Sequence, residues 1–452
     1  VNTVNDSYHS LLARHDAMRL RRQLLSPGAR QAAEGEAGTR AGAAPPQQPY
    51  DGAADQRVIT DHLELVTPFG DLIAHLYDAM FAHWPYLRRL FPESMEFQRR
   101  HLEGIFWYLI ENLHDPDEVA SVFTRLGRDH RKLGVRPAHY RAFEAALCEA
   151  LRRTAGPRWN EAMEQAWVRM LRFAVAAMVR GAEAALGEPP AWQATVTGHE
   201  LRRPDLAVLR VRTHEPYPYR AGQHAAVASP LLPQAWRQYS LACAPRPDGE
   251  LEFHVRLTGR GGVSEALVTR TRPGDTLRLG PASGTMTLDD DLAHDLLLVA
   301  SGTGWAAAKA LLQELAARRA TRRGAHRAAH LFLGVRHPSA LYDTEAPDEL
   351  RRRYPWLQVT QVVGEGPGPG EHHALAEVVA GHGGWSRHLA YVSGPPSMVG
   401  PLVARLTAGP SPALPAARIR HDPLPDRAQG LPGAGSGPGP APPRGRTAPG
   451  TR

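Results

Sequence analysis

The apolar residues of this chain change period twice, and the changes divide it into three folding units. From Val58 to Leu186 they recur at helical spacing, as in Leu102, Ile105, Phe106, Leu109, Ile110 and Leu113, and again in Trp167, Leu171, Val175 and Met178. Gly134 and Pro137 punctuate this region as a helix end and the next helix start. From Trp192 the pattern becomes short alternating runs between Pro and Gly turns. Ala194–Thr197, Leu206–Thr213, His224–Ala228, Tyr239–Ala242, Leu251–Leu257 and Thr276–Leu279 read as strands, for which a small antiparallel barrel is the economical fold. From Asp295 onward apolar strands (Leu296–Ala300, Leu331–Val335, Val359–Val363, Leu389–Val392) alternate with helical runs. That alternation implies a parallel sheet with helices on both faces.

The 452 residues leave room for three such units, each with its own core. Ser26–Gln48 is dense in Ala, Gly, Pro and Gln without apolar period, so residues 1–56 read as a disordered extension, and the Pro-Gly-Ala-rich residues 425–452 as another, neither carrying chemistry. The formal charge of +7 raises nucleic acid as a partner. However, Lys132 and Lys309 are the only lysines, so 51 of the 53 basic residues are arginine, spread along the whole chain. This is a compositional bias rather than a basic face, and no nucleic-acid partner is expected. Two cysteines, Cys148 and Cys243, cannot build a disulfide framework. With no signal-peptide core and no apolar run of about 20 residues, a cytoplasmic protein without a membrane span is expected.

Four stretches carry chemistry. In Trp236-Arg237-Gln238-Tyr239-Ser240-Leu241, strand geometry puts Arg237 and Tyr239 on one face. A guanidinium clamps phosphate and a phenol stacks on a planar ring, so the pair suits a flat-headed dinucleotide such as FAD. Ser240 adds a hydroxyl. Gly261-Gly262-Val263-Ser264 downstream opens a helix, where Val263 and Ser264 can offer backbone N–H groups to phosphate. Ser301-Gly302-Thr303-Gly304-Trp305 follows a strand and opens a helix, so Gly302, Thr303 and Gly304 form a second pyrophosphate loop. In the helical unit, His130 lies at a helix end where its ring can reach iron.

The order of these motifs resembles the flavohemoglobins, a globin fused to a ferredoxin reductase-type module whose flavin signature is Arg-x-Tyr-Ser. The resemblance covers residues 58–424. It implies an all-α globin (57–188), an antiparallel β-barrel FAD-binding domain (190–288) and a Rossmann-like α/β NAD(P)-binding domain (292–424). Leu126-Gly127-Arg128-Asp129-His130 resembles the proximal segment, making His130 the iron ligand of heme b, with Tyr140 near it. His75-Leu76-Tyr77-Asp78 resembles the second helix, whose tyrosine, here Tyr77, faces the gas ligand. Gln98-Arg99-Arg100-His101-Leu102 resembles the start of the distal helix, with Gln98 over the ligand, Leu102 on the heme and His101 as a competing distal residue. By the same resemblance Arg237 holds the FAD pyrophosphate, Tyr239 packs on the flavin and Ser240 lies near its reactive nitrogen.

Ser393-Gly394-Pro395-Pro396 resembles the Cys-Gly-Pro-Pro motif at the nicotinamide, with Ser393 replacing the cysteine and Gly394 and Pro395 kept. The nucleotide is NADH or NADPH, since Arg336 and His337 follow the second strand where a 2′-phosphate is read. The family glutamate that supports the proximal histidine falls at Ala182, with Glu183 one residue late, and Asp422 and Leu424 replace a glutamate and an aromatic ring near the flavin. The implied activity is nitric oxide dioxygenation, with O₂ and NO as small-molecule partners and no obligate protein partner. Three other readings stay open: a gas-sensing or gas-binding globin reset by its reductase, a reductase serving a separate acceptor, and a scaffold without turnover.

Overall fold

The computed structural model describes residues 50–321, 327–335, 337, 340–343, 345–364, 371–408 and 413–421. Arg336, Asp422 and Leu424 lie outside the described residues, as do the two extensions apart from 50–56.

The first unit is helical: α1 Gly52–Asp61, α2 Phe69–His83, α3 Glu96–Asn112, α4 Pro116–His130, α5 Pro137–Ala155 and α6 Glu161–Ala184. Local sequence starts these helices. The side chains of Asp51, Asp115 and Asn160 accept the Ala54, Glu118 and Met163 N–H groups, and Pro116 occupies the first turn of α4. After α4 a single turn at Arg131–Leu133 is closed by Gly134, whose φ of 75° suits glycine. The core gathers Phe69, Leu72, Ile73, Leu76, Phe106 and Trp167, with Trp167 set edge-on to Phe69 and Phe106. Each such side chain stabilises the unit by roughly 1.5–3 kcal/mol. α4 and α6 cross at backbone contact, because a Cβ on Gly127 would lie 1.9 Å from the Met178 carbonyl oxygen and one on Gly181 equally close to that of Thr124.

The second unit is an antiparallel sheet of β1 Trp192–Arg203, β2 Leu206–Thr213, β3 His224–Ala228, β4 Arg237–Ser240, β5 Glu250–Arg256 and β6 Thr276–Leu279, in the order β4-β3-β6-β1-β2-β5. The alternation expected from sequence is present, but the barrel does not close as a continuous ladder. The edge strands β4 and β5 meet only at the Leu241–Phe253 bridge and the hydrogen bond from Ala242 N–H to the Glu252 carbonyl, 2.8 Å. With four residues, β4 ends before a full ladder can form.

The third unit is a parallel sheet in the order β11-β10-β7-β8-β9, built from β7 Asp295–Ser301, β8 Ala329–Val335, β9 Leu357–Val363, β10 His388–Ser393 and β11 Ile419–Arg420. Its helices are α7 Trp305–Thr321, α8 Glu345–Arg353, α9 Glu371–His382 and α10 Pro396–Ala408. Trp305, Leu311 and Leu312 pack with Leu296, Leu298 and Leu331 in one cluster, while Val379, Met398 and Leu402 pack with Leu297, Val299 and Phe332 in another. These two clusters lie on opposite faces of the sheet, since alternate strand residues point opposite ways. No helix among the described residues is long and apolar enough to cross a membrane.

Candidate functional site

His130 ends α4, and its Nδ1 lies 2.9 Å from the Leu126 carbonyl oxygen, one turn back. Burial pushes its pKa below the ordinary histidine value, so the ring is neutral. A neutral ring that donates from Nδ1 leaves a lone pair on Nε2, the arrangement a proximal iron ligand needs. Glu183 is exposed on α6, and the Leu126 carbonyl occupies Nδ1 instead.

Gln98 and His101 stand three residues apart on α3, hence on one helix face. Gln98 Oε1 and His101 Nδ1 are both buried with no hydrogen-bond partner among the described residues. A bound group at this face would give both atoms a partner. Burial, and after it the nearness of the His130 imidazole, lowers the His101 pKa to about 4. Tyr77 is buried on α2 within a cluster of Phe81 and Phe91, at centroid distances of 5.8 and 5.6 Å. Burial raises its phenol pKa, so it stays protonated and able to donate. Leu102 packs against the core that holds Tyr77. Tyr140, on α5, packs there too, and burial pushes its hydroxyl up to about 12. Two imidazoles, a protonated phenol and unpaired polar atoms set in an apolar core fit a heme.

The flavin stretch lies on β4. Tyr239 packs on the core of the sheet, and burial raises its pKa. Ser240 pairs with His224 across β3. Arg237 donates to the Trp236 carbonyl at 2.8 Å, and its guanidinium lies 4.3 Å from the centre of the Phe97 ring on α3. Neither partner neutralises its charge, so a pyrophosphate is a better partner than either. Val263 and Ser264 begin a short helical turn after Gly262. The Ser264 hydroxyl accepts the Thr258 N–H at 3.2 Å, and the Glu265 carboxylate accepts the Gly261 N–H at 2.6 Å. That carboxylate occupies an N–H that a phosphate oxygen could take.

At the nucleotide loop, β7 and β10 are paired neighbours and their ends converge. A Cβ on Gly304 would lie 2.1 Å from the Ser393 carbonyl oxygen, and one on Gly394 would lie 2.3 Å from Met398 Cε. Gly302 has φ 56°. The Pro395 carbonyl accepts the Met398 and Val399 N–H groups and so starts α10. Bare backbone at the carboxyl ends of adjacent parallel strands, where the strand order reverses, is where a dinucleotide sits.

The tertiary structure adds residues that motif reading passed over. Phe97 stacks on His101 at 5.8 Å and carries Arg237, linking the distal helix to the flavin strand. Trp236 receives Lys132 on its ring, 5.4 Å from the centroid. Glu252, His254, Lys309, Tyr342 and Asp343 form a polar cluster between the second and third units. Trp236 stands in the flavin stretch and the rarity of lysine marks Lys132 and Lys309, but nothing in the sequence marked the others.

Comparison with known proteins agrees with this division. Three family models match in order: Globin over residues 74–178, Oxidoreductase FAD-binding domain over 193–287 and Oxidoreductase NAD-binding domain over 298–402. A Ralstonia protein described as the ferredoxin–NAD(P)(+) reductase component of naphthalene 1,2-dioxygenase/salicylate 5-hydroxylase systems is 34% identical over 221 residues, 47% of this chain and 64% of that protein. The chain thus spans somewhat under two thirds of that relative. A flavohemoprotein from Bordetella pertussis is 27% identical over 283 residues, 58% of this chain and 68% of the relative. Among solved structures, the flavohemoglobin of Malassezia yamatoensis, described with bound FAD and heme, superposes with a TM-score of 0.65 at 16% identity. That match covers 81% of this chain and 98% of the other, and it shows a shared fold. The chain joins a globin to FAD-binding and NAD-binding oxidoreductase domains in one polypeptide, and in this order of domains it is similar to the flavohemoproteins.

Proposed function

We propose that the chain oxidises nitric oxide to nitrate with O₂ and NAD(P)H. The observation that carries this reading is the order of sites. The neutral His130 imidazole lies two residues from a joint with the flavin strand, and the nucleotide loop opens the helix that packs on the same flavin sheet. When bound, NAD(P)H supplies a hydride, FAD divides it into single electrons and heme offers an iron centre for the gases. His130 offers Nε2 to the iron, with Leu126 fixing its tautomer. Tyr77 donates its phenolic proton toward the distal space, Gln98 borders it, and Leu102 helps keep water out. Tyr140 backs the proximal side. Arg237 binds pyrophosphate, Tyr239 and Ser240 orient the flavin, and Val263 and Ser264 line its phosphate end. Gly302, Thr303, Gly304, Gly394 and Pro395 seat the nicotinamide nucleotide.

Electron counting sets the test. Oxidation of NO to nitrate by O₂ needs one further electron, so each hydride should consume two NO. Purified protein loaded with heme and FAD should turn over NO and NAD(P)H in that ratio, with nitrate as product. NAD(P)H oxidation that ignores NO would refute the reading. The 34% identity to a dioxygenase reductase component favours a second reading, in which the flavin feeds a separate acceptor. It predicts fast reduction of an added ferredoxin while the heme stays ferric.

A further inference from the structure

Lysine is nearly absent from this chain, and both copies lie where domains meet. Elsewhere the sequence supplies arginine wherever a cation is accepted. The lysine side chains are only 5% (Lys132) and 17% (Lys309) exposed. We infer that they are positioning residues, Lys309 setting the nicotinamide domain against the flavin sheet and Lys132 setting the globin against it. The inference rests on the electron route proposed above.

Lys309 lies in the second turn of α7, five residues beyond Gly304 of the nucleotide loop. Its Nζ is 2.9 Å from Glu252 Oε1 on β5 and 3.6 Å from Asp343 Oδ2. Trp305 Nε1, at the start of the same helix, donates to Asp343 Oδ2 at 2.8 Å. On the flavin side, His254 Nε2 is 3.1 Å from Glu252 Oε1, and His254 Nδ1 is 2.7 Å from the Tyr342 hydroxyl. One ammonium therefore ties the helix that opens at the nucleotide loop to the flavin sheet. Further along α7, Gln313 accepts the Ala244 N–H at 3.1 Å and Glu314 accepts the Ala221 N–H at 3.2 Å.

Lys132 follows His130 by two residues and pairs with Asp129. Its stem crosses Gly280 of the flavin domain so closely that a Cβ there would lie 3.1 Å from Lys132 Cδ and 3.3 Å from Ala226 Cβ. The ammonium faces the Trp236 ring, whose centre is also 5.0 Å from the Arg278 guanidinium, and Arg278 donates to the Lys132 carbonyl at 3.3 Å. Trp236 directly precedes Arg237. A thin stem with a compact, three-donor head suits both joints, whereas a planar guanidinium needs a wider slot. A misplacement of about 1 Å between reacting groups can slow a step roughly a hundredfold.

The full chain, loaded with heme and FAD, is mixed anaerobically with NAD(P)H, and flavin bleaching is followed by stopped flow. Flavin-to-heme transfer is timed separately after laser photoreduction of the flavin. Lys309→Met should slow flavin bleaching at saturating nucleotide at least tenfold, with nucleotide affinity and the heme step within twofold of wild type. Lys132→Met should do the reverse, slowing the heme step and sparing bleaching. If either variant fails to load its cofactors, Glu252→Gln and Gly280→Ala perturb the same two joints and are read in its place. Rates unchanged in the variants, or both steps slowed alike by one variant, would overturn the inference while the electron route stands. Failure of NAD(P)H to bleach wild-type flavin would overturn the route, and the inference with it.

Discussion

Replacing Gly304 by alanine should disable nucleotide use while leaving the globin intact. The new Cβ would meet the Ser393 carbonyl oxygen at 2.1 Å, its carbon at 2.5 Å and the Gly394 nitrogen at 2.9 Å. Contacts between non-bonded heavy atoms relax only near 3.5 Å. All three atoms are backbone, so no side chain can rotate away, and the tips of β7 and β10 must part by about 1 Å. Overpacking of this kind destabilises a domain by roughly 1–3 kcal/mol. Displacing the nicotinamide cradle by that distance should slow flavin reduction about tenfold to a hundredfold. Gly302→Ala is the control. Nothing lies within 4 Å of its added Cβ, so only the left-handed φ of 56° opposes it, by roughly 1–2 kcal/mol. Stopped-flow flavin reduction, with ferrous–CO binding as the globin readout, should rank Gly304→Ala well below Gly302→Ala and leave CO binding unchanged. Equal reduction rates in Gly304→Ala and wild type would refute the close approach of the two loops. A change in CO binding would refute the separation of the units.

Arg237→Ala should weaken FAD binding about a hundredfold, or 2–3 kcal/mol, by flavin titration, since its partners here are a carbonyl and a ring. Tyr77→Phe should speed O₂ release about threefold to tenfold in stopped flow, the worth of one hydrogen bond of ~0.5–1.5 kcal/mol. His130→Ala should abolish stoichiometric heme retention, and a normal heme content with the same ferrous–CO spectrum would move the ligand elsewhere. Burial raises the Glu252 pKa, but the His254 hydrogen bond and the Lys309 ammonium more than reverse that and hold it below the usual carboxylate range. A depressed carboxylate stabilises the fold above its unfolded pKa near 4.3 and loses that contribution as pH falls below it. Glu252→Gln should therefore be less stable than wild type at neutral pH, with the gap closing in acid unfolding below about pH 4. A gap that stays constant with pH would remove the charge from the account.

The three units and the candidate cofactor stretches were legible in the linear chain, because they depend on short-range rules. Helical spacing from Leu102 to Leu113 and from Trp167 to Met178, alternation over Leu206–Thr213, and a Gly-Thr-Gly turn between strand and helix each need only a few consecutive residues. The extent of closure of the flavin sheet was not legible. It depends on how far β4 runs beside β5, two edges that no local period relates, and the structure limits them to one bridge. The environment of His130 shows the same division. The motif named the residue, and one helical turn brings the Leu126 carbonyl to its Nδ1, while only the packed helices show that Glu183 faces solvent. Lys132, Trp236, Glu252 and Lys309 come from separate units and meet only when the units dock. Sequence by itself determined the order of the units and the candidate cofactor stretches, because a phosphate loop is a local pattern and the candidate iron ligand stands in a short segment that carries the resemblance. Tertiary structure alone decided how those sites face one another, because a contact between distant residues leaves no period in the chain.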